Sequence, residues 1–165
     1  MQSNSLNKFF DMLSSRNSSG GNFFHEACEA RLLPLLWRVE QMIDEPIPSI
    51  LTTRNYNGEN CSHIIVKCKD IHAQHMMKVV LNLGADINGK ETHGGFTPLH
   101  LCVWEKNYKL AEWLCNAPGV DLEVKNYAGQ TVYQLALECR DHQMMEMVKK
   151  AGAMCEPPKV KDSDE

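Results

Sequence analysis

The residues best equipped for chemistry are the histidines and cysteines between positions 61 and 75: Cys61, His63, Cys68, His72 and His75. Imidazole and thiolate are the ligands of structural zinc, which takes four of them at short, recognisable spacings. That spacing is missing, because no two cysteines of this chain stand as CxxC. Cys61 and His63 also fall at positions that recur elsewhere. His25, His63 and His100 share one register position. A histidine that returns with a repeat is expected to make a structural hydrogen bond within and between repeats. No GxSxG, HExxH, P-loop or dinucleotide glycine motif is present, and the acidic residues are scattered. The expectation is a chain without catalytic residues, cofactor or metal, and not an enzyme. A metal-dependent or catalytic protein built on the Cys/His cluster is the competing reading.

The elements that position these histidines form a repeat. Gly20, Gly58, Gly95 and Gly129 are spaced 38, 37 and 34 residues apart. The segments that follow them align as Gly20–Cys28, Gly58–Val66, Gly95–Val103 and Gly129–Leu137. The third holds Thr97-Pro98-Leu99-His100-Leu101, the TPLH signature of an ankyrin repeat, whose period is about 33. Thr97 is suited to cap a helix and Pro98 to occupy its first position. A matching Thr131 follows Gly129. Each inner helix is followed by a second apolar segment at helical spacing, such as Leu110, Ala111, Trp113 and Leu114, and then by a Gly-centred stop at Gly84, Gly119 or Gly152. The fold class is therefore all-α: an ankyrin solenoid of about four helix-turn-helix repeats with short β-hairpin fingers. A lone repeat cannot bury its apolar face, so the units must stack.

The repeats are placed at about 20–53, 54–90, 91–124 and 125–153. Residues 1–19 read as a flexible segment with a possible capping helix on Leu6, Phe9, Phe10 and Leu13, and residues 154–165 as a disordered polar tail. The two prolines of Ile43–Ser49 suggest a stiff loop between the first two repeats. Extra residues around Lys69–Gln74 lengthen the turn inside the second. Net charge is −4, which disfavours direct binding to nucleic acid. No apolar run reaches the length of a signal peptide or a membrane span. The seven cysteines are dispersed and read as reduced thiols of an intracellular protein.

Such a stack binds through its finger tips and the open side of its inner helices. The candidate partner-binding residues are Asn55, Tyr56, Asn57, Lys90, Glu91, His93, Lys125, Asn126 and Tyr127 on fingers, with Trp104 and Glu105 at the end of the third inner helix. Trp104 is the hot-spot candidate. The repeat signature itself is carried by Gly58, His63, Gly95, Thr97, Pro98, Leu99, His100, Gly129 and Thr131. The methionines at 76, 77, 144, 145 and 147 read as core.

Several of these stretches resemble the later repeats of the IκB inhibitors. They are Asn55-Tyr56-Asn57-Gly58, Gly84-Ala85-Asp86-Ile87-Asn88, Thr97-Pro98-Leu99-His100-Leu101 and Tyr133-Gln134-Leu135. The resemblance covers about residues 20–153 and is closest to the short IκB-like viral ankyrins of polydnaviruses, which parasitoid wasps deliver into insects. It implies a protein that clamps host Rel/NF-κB dimers and blocks DNA binding, nuclear entry or both, in the cytoplasm and also the nucleus of host cells. The longer family members carry an Asp-Ser-Gly-x-x-Ser degradation signal. Here Ser18-Ser19-Gly20 lacks the preceding Asp and the second spaced Ser. The resemblance thus implies a constitutive brake on immune transcription. An adaptor for trafficking, cytoskeletal or ubiquitin machinery is the alternative, since the fold does not fix the partner.

Overall fold

The computed structural model describes residues 2–159; the expected tail at 160–165 lies outside them. Four helix pairs follow one another. The inner helices are α2 (Phe23–Glu29), α5 (Cys61–Cys68), α7 (Pro98–Glu105) and α9 (Val132–Glu138). The outer helices are α3 (Leu33–Met42), α6 (Ala73–Asn82), α8 (Tyr108–Cys115) and α10 (His142–Lys150). Helix α1 (Gln2–Ser14) precedes them and a single turn, α4 (Pro48–Leu51), joins the first two repeats. No residue among those described is in a strand. The fingers expected as β-hairpins are tight turns instead, because one backbone pair closes each and leaves no ladder to extend.

Every inner helix starts on a side-chain cap. Asn22, Asn60, Thr97 and Thr131 each accept a hydrogen bond from a first-turn amide. Each inner helix is then turned back by one residue in the left-handed region, and all four are basic: Arg31 (φ 60), Lys69 (φ 47), Lys106 (φ 55) and Arg140 (φ 54). A cation there meets the negative end of the helix dipole and offsets part of the backbone cost. The link at 43–49 is more ordered than a stiff loop. Ile47 donates to the Leu83 carbonyl at 2.7 Å, and Pro48 lies against Gly84, where a Cβ would come within 2.8 Å of the Pro48 nitrogen. Gly84 is thus required by a close approach as well as by its φ of 117°. In the second repeat the longer turn leaves Ile71 exposed at its corner.

The core runs through the stack. Leu36, Met76, Leu110 and Met144 are fully buried at equivalent outer-helix positions, with Ile65, Cys102 and Ala136 buried on the inner helices. A polar ladder crosses the same boundaries. His25 Nε2 donates to the Glu59 carbonyl at 2.8 Å, His63 Nε2 to Phe96 at 2.8 Å, and His100 Nε2 to Gln130 at 2.9 Å. A carbonyl only accepts, so Nε2 carries the proton. In the first and third repeats Nδ1 faces a capping amide, Asn22 N at 3.0 Å and Thr97 N at 3.4 Å.

The two ends are closed by different means. Leu13 of α1 is fully buried against the first repeat, with Phe9 and Phe10 packed beside it. At the other end Gln134 replaces the histidine. Its Oε1 accepts from Thr131 N at 3.0 Å and its Nε2 donates to the Glu156 carbonyl at 3.2 Å. Met154 N also donates to Glu123 Oε1 at 2.7 Å. Residues 154–156, expected in a disordered tail, are therefore tied down: the Glu156 carbonyl takes from Gln134 the kind of bond that a finger carbonyl takes from each histidine.

Burial lowers the pKa of His25 and His63 and holds that of His100 down to about 4, against the smaller opposing effect of the carbonyl bonds. These histidines stay neutral in the fold but protonate in the unfolded chain below its ordinary value near 6.5. Stability is therefore whole above that pH and is lost as pH falls towards 4, by on the order of 3 kcal/mol for His100 alone. Urea unfolding at neutral and mildly acid pH reads this directly. His100→Gln, which copies Gln134, is expected to fold and to show a shallower pH dependence; an unchanged dependence would exclude His100 as a source.

Candidate functional site

The surface away from the outer helices is shaped by the fingers, and each finger is folded around one polar side chain. Asn17 Oδ1 accepts from Ser19 N and Gly21 N, both at 3.0 Å. Asn55 Oδ1 accepts from Asn57 N and Glu59 N, both at 3.0 Å. Glu91 accepts from His93 N and Gly94 N at 2.7 Å and Phe96 N at 2.9 Å. Asn126 Oδ1 accepts from Ala128 N at 3.0 Å and Gln130 N at 2.9 Å. Partial burial works to raise the Glu91 pKa, but the three amide donors outweigh it and hold the carboxyl below its usual range. Asn55, Glu91 and Asn126 were expected at the partner-binding surface. Their acceptor atoms are instead spent on their own turns, and Asn126 is only 5% exposed. The sequence signal was the polar residue three or four positions before each finger glycine.

The finger tips rest on one another. The Tyr56 ring covers Gly20, Thr92 covers Gly58 and the Tyr127 ring covers Gly95; a Cβ on those glycines would stand 2.6, 2.4 and 2.6 Å from the covering side chain. The same three residues donate their amides back to Ser19, Gly58 and Gly94 at 2.9, 3.1 and 2.9 Å. Basic side chains reach forward across the same steps. Arg54 Nη2 donates to the Lys90 carbonyl at 2.6 Å, and Lys90 Nζ lies 5.8 Å from the Tyr127 ring centroid. Gly58 and Gly95 thus serve as seats as well as turns. Even so, Tyr56 is 72% exposed and Tyr127 60%, so each shows its outer ring face to solvent.

Trp104 is the largest open aromatic on the inner side, 62% exposed and steadied by Phe96 at a centroid distance of 6.2 Å. Two shallow depressions flank it. One of about 510 Å³ runs towards Asn57, Glu59 and Lys67. The other, about 600 Å³, is lined by His93, Tyr127, Leu135 and Glu138. Trp104, His93 and Tyr127 are therefore brought to one surface, with Asn57 at its far edge. Lys125 is exposed on the fourth finger, while Glu105 is half-buried and paired with Lys69 at 3.6 Å. The signature residues sit in the frame: Thr97, Pro98, Leu99, His63, His100 and Thr131 are buried, and Gly129 is exposed.

The Cys/His cluster does not converge. Cys61 and His63 are buried in α5, with His63 committed to Asn60 and Phe96, while His75 is exposed beside Trp37 and His72 is exposed next to His75. Among the described residues no three His, Cys, Asp or Glu side chains gather as a metal site. None of their buried side-chain nitrogens or oxygens lacks a hydrogen bond, so the interior holds no polar group waiting for a ligand. No helix among them is long and apolar enough to cross a membrane.

Known proteins are similar to this chain in sequence and in architecture. Residues 24–126 match the family described as ankyrin repeats (3 copies). The I-Kappa-B like protein H1 of Microplitis demolitor bracovirus (isolate Webb) is 52% identical over 138 residues, covering 84% of this chain and 72% of that protein. The NF-kappa-B inhibitor cactus of Drosophila yakuba is 34% identical over 119 residues, 72% of this chain but 24% of its own length. In fold, the ankyrin repeat domain of Bcl-3, a member of the IκB protein family, superposes with a TM-score of 0.74 at 20% identity. That match covers 91% of this chain and 65% of the Bcl-3 chain.

The split between frame and surface is measurable. Asn126→Ala leaves two finger amides without their acceptor and is expected to cost about 1–2 kcal/mol in urea unfolding. Trp104→Ala, at an open position, is expected to stay within about 0.5 kcal/mol of the parent. The reverse ranking would mean that Trp104 belongs to the core and not to the surface.

Proposed function

The chain belongs to the IκB-like ankyrin-repeat family, and from that premise we propose that it binds Rel-homology dimers of an infected or parasitised insect host. By occupying the dimer in the cytoplasm and nucleus of host cells it keeps the dimer from κB DNA and lowers immune transcription. The action is occupancy, with no reaction to perform. The observation that carries this reading is the surface around Trp104. A solvated indole stands between two depressions, with Tyr127 beside it and the second finger at its far edge. Exposed aromatics on a rigid frame supply contact area at little entropic cost, which suits protein recognition.

The proposal includes escape from signal-induced degradation. The Ser18-Ser19-Gly20 stretch is folded into the first finger. Ser19 donates through both its amide and its hydroxyl to Asn17 Oδ1, and Gly20 lies beneath the Tyr56 ring. A stretch held in this way is not presented to a kinase or ligase as an extended peptide.

The test is a titration of purified protein against an insect Rel-homology dimer on labelled κB DNA. Loss of the protein–DNA complex is expected, with Trp104→Ala and Tyr127→Ala each weakening inhibition by about tenfold or more. No effect at micromolar protein, with the fold verified, would move the reading to an adaptor for a different host protein.

A further inference from the structure

Each finger offers three things to the finger after it. The first is a glycine with nothing above its Cα. The second is a carbonyl at or just before that glycine. The third is a basic side chain immediately before the turn-forming Asn or Glu. In the first three fingers the glycine and the carbonyl are taken. Gly20, Gly58 and Gly95 are buried beneath Tyr56, Thr92 and Tyr127, whose amides bond to Ser19, Gly58 and Gly94. In the second and third the basic arm is taken as well. Arg54 reaches the Lys90 carbonyl and Lys90 lies over the Tyr127 ring.

Among the described residues, the fourth finger presents the same three parts with nothing on them. Gly129 has φ 76°, in line with 75°, 75° and 68° at its three predecessors, but no atom of the described residues lies within 4 Å of the place its Cβ would fill. Among the described residues no hydrogen bond reaches the Ala128 carbonyl. Lys125 holds the register position of Arg54 and Lys90, and is exposed. The tail does not close this seat in the residues described: Glu156 satisfies Gln134 on the helical side of the last repeat only.

We propose that the fourth finger is a docking seat for a loop of a partner protein that carries a tyrosine or phenylalanine at its tip. The ring lies on Gly129, the amide of the same residue donates to the Ala128 carbonyl, and the Lys125 ammonium sits over the ring. The occupant's chemistry is read from the internal seats, two of which hold tyrosine. Head-to-tail stacking of a second copy does not supply that occupant: its first finger carries Ser18 at this position, and α1 covers the face of the first repeat that would have to stack here. The seat rests on the chain being a binding module and on the register of its own fingers, not on Rel being the partner.

The probe is therefore not a Rel protein. A synthetic peptide with the Arg54–Glu59 sequence is titrated into isotope-labelled full chain, and amide resonances are followed. Saturable shifts centred on Lys125, Ala128 and Gly129 at millimolar peptide are expected. The Tyr56→Ala peptide and a peptide methylated on the tyrosine amide are expected to bind about tenfold more weakly. Lys125→Glu weakens binding several-fold. Gly129→Asn, a residue that tolerates this backbone region, fills the seat and abolishes the shifts while the rest of the spectrum is kept. Absent shifts would overturn the proposal, whether because nothing docks or because residues 160–165 already lie there. An equal response to the alanine peptide, or shifts centred on Trp104, would overturn it too. None of these outcomes depends on whether the protein displaces Rel from DNA.

Discussion

The structure depends on a neutral imidazole held across each repeat boundary. One nitrogen faces the cap of its own inner helix, and the other gives its proton to a carbonyl at the root of the next finger. Apolar packing drives the stack together but does not fix its register, since burial is proportional to area and indifferent to direction. The histidine bond is directional. It sets how far one inner helix lies from the next finger, and so fixes where every finger tip falls. Burial keeps the ring neutral, and a neutral ring is what the arrangement needs, because a second proton on Nδ1 of His25 or His100 would face a capping amide that also donates.

The surface follows from that register. With the finger roots fixed, each tip lands on the glycine before it, and the tyrosines are used twice: one ring face covers a glycine and the other is left to water. The binding surface is thus a by-product of the way the stack holds itself together. Trp104 differs because the repeat does not need it. The equivalent place in α9 is Glu138, which bonds Gln130. A tryptophan kept in water at a position that a charged residue fills elsewhere is the part of this surface least explained by folding.

Much of this was legible in the sequence, for physical reasons that can be named. The Gly, Thr-Pro-Leu-His and terminal Gly positions each answer a demand of the backbone, and such demands recur with the repeat. His25, His63 and His100 could be read as structural because they share one register position. The roles of Asn55, Glu91 and Asn126 were not read from the sequence, since a polar residue on a turn looks the same whether its acceptors face water or fold back on two or three amides of its own turn. The left-handed Arg31, Lys69, Lys106 and Arg140 were missed because glycine or asparagine is the usual occupant of that region. The tail from 154 onward reads as polar and proline-containing, and the order of 154–156 comes from two hydrogen bonds, Gln134 to the Glu156 carbonyl and Met154 N to Glu123, which no composition reveals.

The unequal ends give the stack a direction. At the first repeat the exposed stacking face is removed by a helix, and Leu13 is buried as fully as any core residue. At the fourth, Gln134 and Glu156 satisfy the polar ladder, yet Tyr133, Leu137 and Met145 stay only partly covered, whereas Leu99, Val103 and Ala111 at the same positions of the third repeat are buried. A closed first end and a half-open last end disfavour head-to-tail growth, because the open face of one copy meets the helix that covers the first repeat of the next.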